Sequence, residues 1–423
     1  MKLLIKNSSV FLNDNSFSKK DILIEDGKIN QIENSIVDAD AKVVEAEGLY
    51  TIPGLFDMHA HLREPGFEYR ETIKSGLYAA AAGGFTKVAC MANTNPVNDN
   101  AAVTKYIMDR ASEACGVRLF PVGSITKNMD GEVLSEYGDM KKAGIVAVSE
   151  DGKTVMNARL MRRGMEYAKC FDLPVICHCE DTNLSANTSM NESLTSTYLG
   201  FKPCPNACED IIVSREIALA KLTGCQVHIT HMSTAGSVEL VRQAKKGGLN
   251  ITCDVTPHHL YFIDEELKSF NTNFKVNPPL RTSVDREALY EGLRDGTVDA
   301  IATDHAPHAE REKKLEFEFA NPGMIGFETA LNVALDLVEK NVIKLEMIPK
   351  LMSFNPCKIM NIENNGIDVG ACADISIFDK DCALEISDNN FKSKSKNSPF
   401  VGKKMKGKVC YTIVDGKIVY SSE

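Results

Sequence analysis

The chain has 423 residues, 43% of them hydrophobic and 25% charged, with a formal net charge of −10. That is an ordinary globular balance, long enough for a large barrel plus an accessory unit. The negative charge argues against nucleic acid or an anionic membrane as partner, and no run of about 20 apolar residues is available to span a bilayer. The N-terminal "MKLLIKNSSVFLND" lacks the apolar core and cleavage site of a secretory signal. Without a signal or a CxxC pair, the 13 cysteines point to free thiols in a reducing cytoplasm. "CHC" at 177–179 and the pair Cys204 and Cys208 are too few for a zinc knuckle.

Residues 2–50 read as short strands with turns, among them "KLLIKNSSVFL", "DILIEDGKINQIE" and "AKVVEAEGLY". "DISIFD" (374–379), "KVCYTIV" (408–414) and "VDGKIVYSSE" (414–423) are also strand-like. Both ends are β-rich, which predicts one β-sandwich unit formed by residues 1–52 and 362–423. Residues 392–408 are locally basic but interleaved with Gly, Ser and Pro. They read as a solvated loop or hairpin.

Between the ends, apolar strand candidates alternate with helical stretches. The strands are "GLFDMHAHL", "KVACMANTN", "RLFPVGSIT", "GIVAVSEDG", "LPVICHCED", "CQVHITHMS", "NITCDVTPHHL" and "DAIATDHAPH". Continuous apolar strands with intervening helices imply parallel pairing with both faces covered. Eight such units over 53–361 predict an α/β chain, a (β/α)8 barrel.

Most of these strands begin apolar and finish polar. The first ends at His59 and His61, the fourth at Glu150 and Asp151, the fifth at His178 and Glu180. The sixth ends at His231 and the eighth at Asp304 and His305. Parallel strands bring all these ends to one face, where such barrels carry their chemistry. Imidazoles and carboxylates gathered there suit a divalent metal of zinc type. Strict alternation would put Asp57, His59 and His61 on one inward face and Phe56, Met58 and Ala60 on the helix side. Asp57 would then orient a ligand from behind. His228 reads as a satisfied packing residue. His305 should point away from the centre. The direction of His258 and His259 after Pro257 is open, and Glu180 suits support of His178 as well as ligation.

"PGLFDMHAHLREPG", "ANTNP", "SEDGK", "CHCED", "ITHMST", "VTPHHL", "NPPLR", "ATDHAPH" and "FANPGMIGFET" together resemble the amidohydrolase superfamily. The closer likeness is to the long-chain bacterial dihydroorotases. "GACADISIFD" and "SKSKNSPF" extend it across nearly the whole chain. The resemblance implies reversible hydrolysis of a cyclic amide, dihydroorotate, to N-carbamoyl-L-aspartate in pyrimidine synthesis. It places one zinc on His59, His61 and Asp304, a second on His178 and His231, and a bridge at Asp151. Many relatives bridge with a carboxylated lysine instead, so Asp151 argues against a hydantoinase. Metal coordination would bring bound water to a pKa of about 7, and Asp304 would act as general base and then acid.

Arg63 is expected to clamp the substrate carboxylate through its planar fork, the alternative being an ion pair with Glu64. The resemblance adds Asn93, Asn277, His308 and the backbone of Pro322 and Gly323 as substrate contacts. Both asparagines precede prolines in "NTNP" and "NPP" and could instead cap turns. His308 lies in "HAPHAEREKK", a charged segment suited to a mobile lid. The family suggests a homodimer and association with aspartate transcarbamoylase. The rival functions are another cyclic amidohydrolase, such as an allantoinase, and a non-catalytic partner of aspartate transcarbamoylase.

Overall fold

A computed structural model describes residues 2–422. Among them, eight parallel strands stand side by side in chain order: Leu55–Ala60, Phe85–Cys90, Arg118–Ser124, Ala147–Ser149, Val175–Cys177, Val227–Ile229, Ile251–Val255 and Ala300–Ile301. The eighth returns to the first through a parallel bridge between Ala60 and His305, with His61 N donating to His305 O at 2.8 Å. All eight expected strands are present, and the nearly closed barrel is the predicted one.

Two apolar layers hold it. Val88, Val148, Val175, Val227 and Val255 belong to the large cluster shared with the surrounding helices. Phe56, Met58, Ala89, Met91, Val122, Ala147, Ile176 and Ala300 fill the interior. Cys357, Ile359 and Met360, from the short helix Asn355–Ile359 and the residue after it, plug the interior from below. The polar site is therefore confined to the opposite end of the strands.

The first strand departs from strict alternation. Asp57 pairs with Val88 and Ala60 with Cys90, so Met58 and His59 together oppose Ala89. This is a β-bulge, which re-aims side chains beside a site. Phe56 and Met58 join the barrel core rather than the helix layer, and of the three only Ala60 packs on the helix side as expected. Asp57 orients no metal ligand ring. It accepts from Thr303 N at 3.0 Å, from the Thr303 hydroxyl and from His59 N at 3.2 Å.

The terminal strands form one hydrogen-bonded sheet. Lys2–Phe11 lies against Phe17–Glu25, Lys42–Glu45 and Tyr50–Pro53, and Tyr50–Pro53 against Ile375–Glu385 from the far end of the chain. Ile375–Glu385 and Lys404–Val414 form a long hairpin. The hairpin connection is not solvated as expected. Residues 391–400 run along the barrel rim with Ser393, Ser395, Asn397 and Ser398 buried and Lys392, Lys394 and Lys396 exposed. Lysines on alternate positions look basic in sequence, yet the positions between them make the contacts. No helix among the described residues is long and apolar enough to cross a membrane.

Candidate active site

The six residues expected to hold metal meet at the strand ends. Asp151 is central: its Oδ1 lies 3.2 Å from His59 Nε2, 3.4 Å from His231 Nε2 and 3.7 Å from His178 Nδ1, and its Oδ2 3.4 Å from His61 Nε2. Asp304 Oδ1 lies 3.0 Å from His61 Nε2 and 3.5 Å from His59 Nε2. Two overlapping groups of possible ligand atoms result: His59, His61 and Asp151, and Asp151, His178 and His231. Asp304 closes the first group on its cavity side.

The neighbours assign the imidazole tautomers. Asn93 Oδ1 accepts from His61 Nδ1 at 2.9 Å. The Thr230 hydroxyl, which donates to Asp254 at 3.0 Å, accepts from His59 Nδ1 at 2.7 Å. His178 donates Nε2–H to Glu180 at 2.7 Å. Each arrangement leaves the other ring nitrogen as a lone pair aimed at the cluster, the pattern of histidines that ligate metal. His59 Nε2 is buried and has no hydrogen-bond partner. Such an orphan is costly unless a ligand satisfies it. The donor set thus fits one or two divalent ions.

The electrostatics call for positive charge at the same point, which either a proton on His59 or a bound cation supplies. Burial alone would lower the His59 imidazole, but Asp151 and Asp304 outweigh it and push it up to about 10. Burial would raise Asp151 and Asp304, yet the surrounding histidines hold both carboxyls well below their usual range. The pocket favours positive charge at its centre.

Above the cluster lies a cavity of about 350 Å³. Arg63, Asn93, Asn277, His308, Pro322 and Gly323 all line it, together with His61, Asp151, His178, His231 and Asp304. His59 lies beneath. Arg63 is buried, donates Nε to Pro307 O at 3.1 Å and has Nη2 3.4 Å from His308 Nε2. It does not pair with Glu64, which binds Arg110 at 2.9 Å. No carboxylate among the described residues lies within 4.0 Å of its guanidinium. Burial, then Arg70, lower its pKa to about 10. Asn277 caps no turn and donates to Glu180 Oε2 at 2.9 Å. Gly323 has φ +134°, and a Cβ there would come within 2.9 Å of Ala306 Cβ and 3.0 Å of His308 Nε2.

The segment around His308 is tied rather than free-standing. Arg70 forks onto Glu312, and Lys313 donates to Asn321 O and Gly323 O at 2.8 and 3.0 Å. His308 Nε2 donates to Pro322 O at 2.9 Å. His228, His259 and His305 are engaged outside the cluster, whereas the buried His258 has an Nε2 with no hydrogen-bond partner and feels the charges of Asp304, His231 and His59. His228 bonds Thr252 and Asp254, and His259 bonds Thr256 and Pro278 O. His305 stacks on Phe327 at 4.0 Å and accepts from Gly326 N.

Sequence reasoning missed Arg70, Thr230 and Asp254. Asp254 accepts from His228, Thr230 and His231 N. Alternation in "ITCDV" places Thr252 and Asp254 on one face, and a carboxylate buried one pleat below a strand end was the available signal.

A (β/α)8 barrel with four imidazoles and two carboxylates gathered at its strand ends is the architecture of a metal-dependent amidohydrolase. Solved structures agree on the fold. An L-hydantoinase (dihydropyrimidinase) from Arthrobacter aurescens superposes with a TM-score of 0.88 at 24% identity, covering 99% of this chain and 96% of that one. The Dihydro-orotase-like family profile matches residues 48–237. A dihydroorotase of Syntrophus aciditrophicus (strain SB) is 48% identical over 426 residues, 100% of both chains. One from Acetivibrio thermocellus is 49% identical over 400 residues, 94% of each. The chain belongs to the dihydroorotase family and is a cyclic-amide hydrolase.

Proposed function

We propose that the protein hydrolyses (S)-dihydroorotate reversibly to N-carbamoyl-L-aspartate in de novo pyrimidine synthesis. One observation carries the reading to this substrate: Arg63, a buried cation without a carboxylate partner, shares a wall with the His/Asp cluster. A site for a carboxylate thus adjoins a site for a metal. The full-length likeness to chains named dihydroorotase supports the same substrate.

His59, His61 and Asp304 would hold one ion, His178 and His231 the other, with Asp151 between them. The donor chemistry suits zinc, one or two ions per chain. When bound, the metal supplies an activated water and polarises the ring carbonyl. Asp304 takes the proton of the attacking water and returns it to the ring nitrogen as the carbon–nitrogen bond breaks. Its depressed pKa keeps it ionised before the attack. Arg63 holds the substrate carboxylate with paired charge-assisted bonds. Asn93, Asn277, His308 and the backbone at Pro322 and Gly323 fix the ring. His61 contacts substrate from the metal side.

In the same reading, residues 53–361 form the catalytic barrel and residues 1–52 with 362–423 the composite terminal unit. The enzyme works in the cytoplasm as a homodimer and associates with aspartate transcarbamoylase. The helix Leu194–Leu199 supports an assembly surface, since Leu194 and Tyr198, one turn apart, are 89% and 82% exposed. Light scattering alone and with the transcarbamoylase tests the assembly. Turnover of dihydroorotate and allantoin, with elemental analysis of the same sample, tests the function. Allantoin turnover without dihydroorotate turnover would overturn the substrate, and under one metal per active chain would overturn the mechanism.

A further inference from the structure

The rim segment 391–400 belongs by sequence to the terminal unit, yet its contacts belong to the cavity wall. Ser393 and Lys394 N bind the buried Glu71, and Ser395 Oγ donates to Arg70 O at 2.7 Å. These contacts fix the loop that follows Arg63. Phe400 packs on Tyr261 and Phe262 with ring centroids 5.2 and 4.7 Å apart, anchoring the far end.

Asn397 lies between these anchors and is buried. Its Nδ2 donates to Ala306 O at 3.0 Å and to Gly323 O at 3.1 Å. Its Oδ1 accepts from His308 N at 3.1 Å, and its backbone carbonyl accepts from Ile325 N at 3.0 Å. One amide therefore uses both donors and its acceptor on two loops that are distant in sequence. Both loops line the cavity, the first through Ala306 and His308, the second through Pro322 and Gly323. A buried amide satisfied on every side fixes a single geometry, because any shift leaves a polar group unpaired.

We propose that Asn397 is a positioning residue for substrate: it clamps the His308 backbone to the Gly323 backbone, so that the two keep one fixed geometry on the same wall of the cavity. It touches neither substrate nor metal ligand. Five of the six cluster residues stand on other strands, and only Asp304, two residues before Ala306, lies on a segment that Asn397 holds. The inference rests on the dihydroorotate reading of the cavity. It also assigns the terminal unit a part in the reaction, since the segment is an excursion of its hairpin.

Steady-state kinetics of Asn397→Ala and Asn397→Asp test this, beside wild type and with metal content measured on each sample. Loss of two donors should raise KM for dihydroorotate roughly tenfold. The fall in kcat should stay below about threefold, with wild-type metal content, because the lost contacts bear on bound substrate rather than on the reacting bond. Asn397→Asp keeps the shape and the acceptor for His308 N but turns both donors into an acceptor, so its KM should rise at least as far. A merely structural role would instead lower the melting temperature and kcat and leave KM within twofold of wild type; that result overturns the proposal. So does a loss of fold in both variants, which would make Asn397 a folding residue. Failure of the wild type to turn over dihydroorotate would sink the substrate reading instead, a distinct outcome.

Discussion

Replacing Arg63 by methionine separates binding from stability. The guanidinium is buried with one backbone acceptor and no carboxylate partner. Its fall in pKa from 12.5 to about 10 corresponds to ~3 kcal/mol of unfavourable charge burial in the free protein. Methionine removes that cost and leaves Pro307 O without its donor, a loss of ~1 kcal/mol. The free protein should therefore melt no lower than wild type. Turnover should collapse, because two charge-assisted bonds at ~1.5–3 kcal/mol each leave the substrate carboxylate. Allowing for non-additivity, kcat/KM for dihydroorotate should fall about 10²- to 10³-fold. Lysine keeps the charge without the fork and should lie between the two. The assay pairs steady-state kinetics with thermal melting and elemental analysis. A loss of activity under about threefold, or a clear drop in melting temperature together with metal loss, would refute the assignment of Arg63 to the substrate carboxylate.

His61→Ala removes a ligand atom shared by Asp151 and Asp304; turnover should vanish and metal per chain fall, both read on one purified sample. A chelator should likewise inactivate the wild type, and added zinc should restore it. Lys313 gives a pH signature. Burial and then Lys275 lower its pKa from 10.5 to about 7, so between those values the unfolded chain binds the extra proton. Stability should rise with pH across that window, by at most ~5 kcal/mol. Lys313→Met should flatten the rise in denaturant midpoint, and an unchanged slope would count against a buried, depressed lysine.

The barrel was legible because its signals are local. Eight apolar runs with polar C-terminal ends give both the parallel sheet and the face on which the ligands meet, and the six metal-site positions follow from that rule together with the family likeness. Three features were not legible. The bulge at Met58 and His59 breaks the period-two pattern on which the facing argument rests, and it is set by pairing with Phe85–Cys90 rather than by the strand's own residues. The partners of Arg70 and Asp254 lie on other strands and loops, over 20 residues away in sequence. Residues 391–400 carry lysines on their exposed positions, so composition reports the solvent side of a segment whose other side builds the rim.

His231 and Asp304 share a structural device that composition does not reveal. Both adopt positive φ, 38° and 50°, a region that costs a non-glycine residue of order 1–3 kcal/mol. A buried carboxylate braces each: Asp254 accepts from His231 N at 2.7 Å, and Asp57 accepts from Thr303 N at 3.0 Å, next to Asp304. The strain turns a strand-end side chain toward the cluster, and the carboxylate below makes the turn tolerable. Asp254 does more, because it also orders the Thr230 hydroxyl that fixes the His59 tautomer. Asp254→Asn keeps the volume but cannot accept at every contact. It should loosen both ligands at once, reducing metal affinity about 10- to 100-fold while KM at saturating metal stays within about twofold. Chelator competition measures the first quantity and steady-state kinetics the second. Metal affinity within threefold of wild type would show that the ligands hold their geometry without the carboxylate beneath them, and the bracing argument would fail.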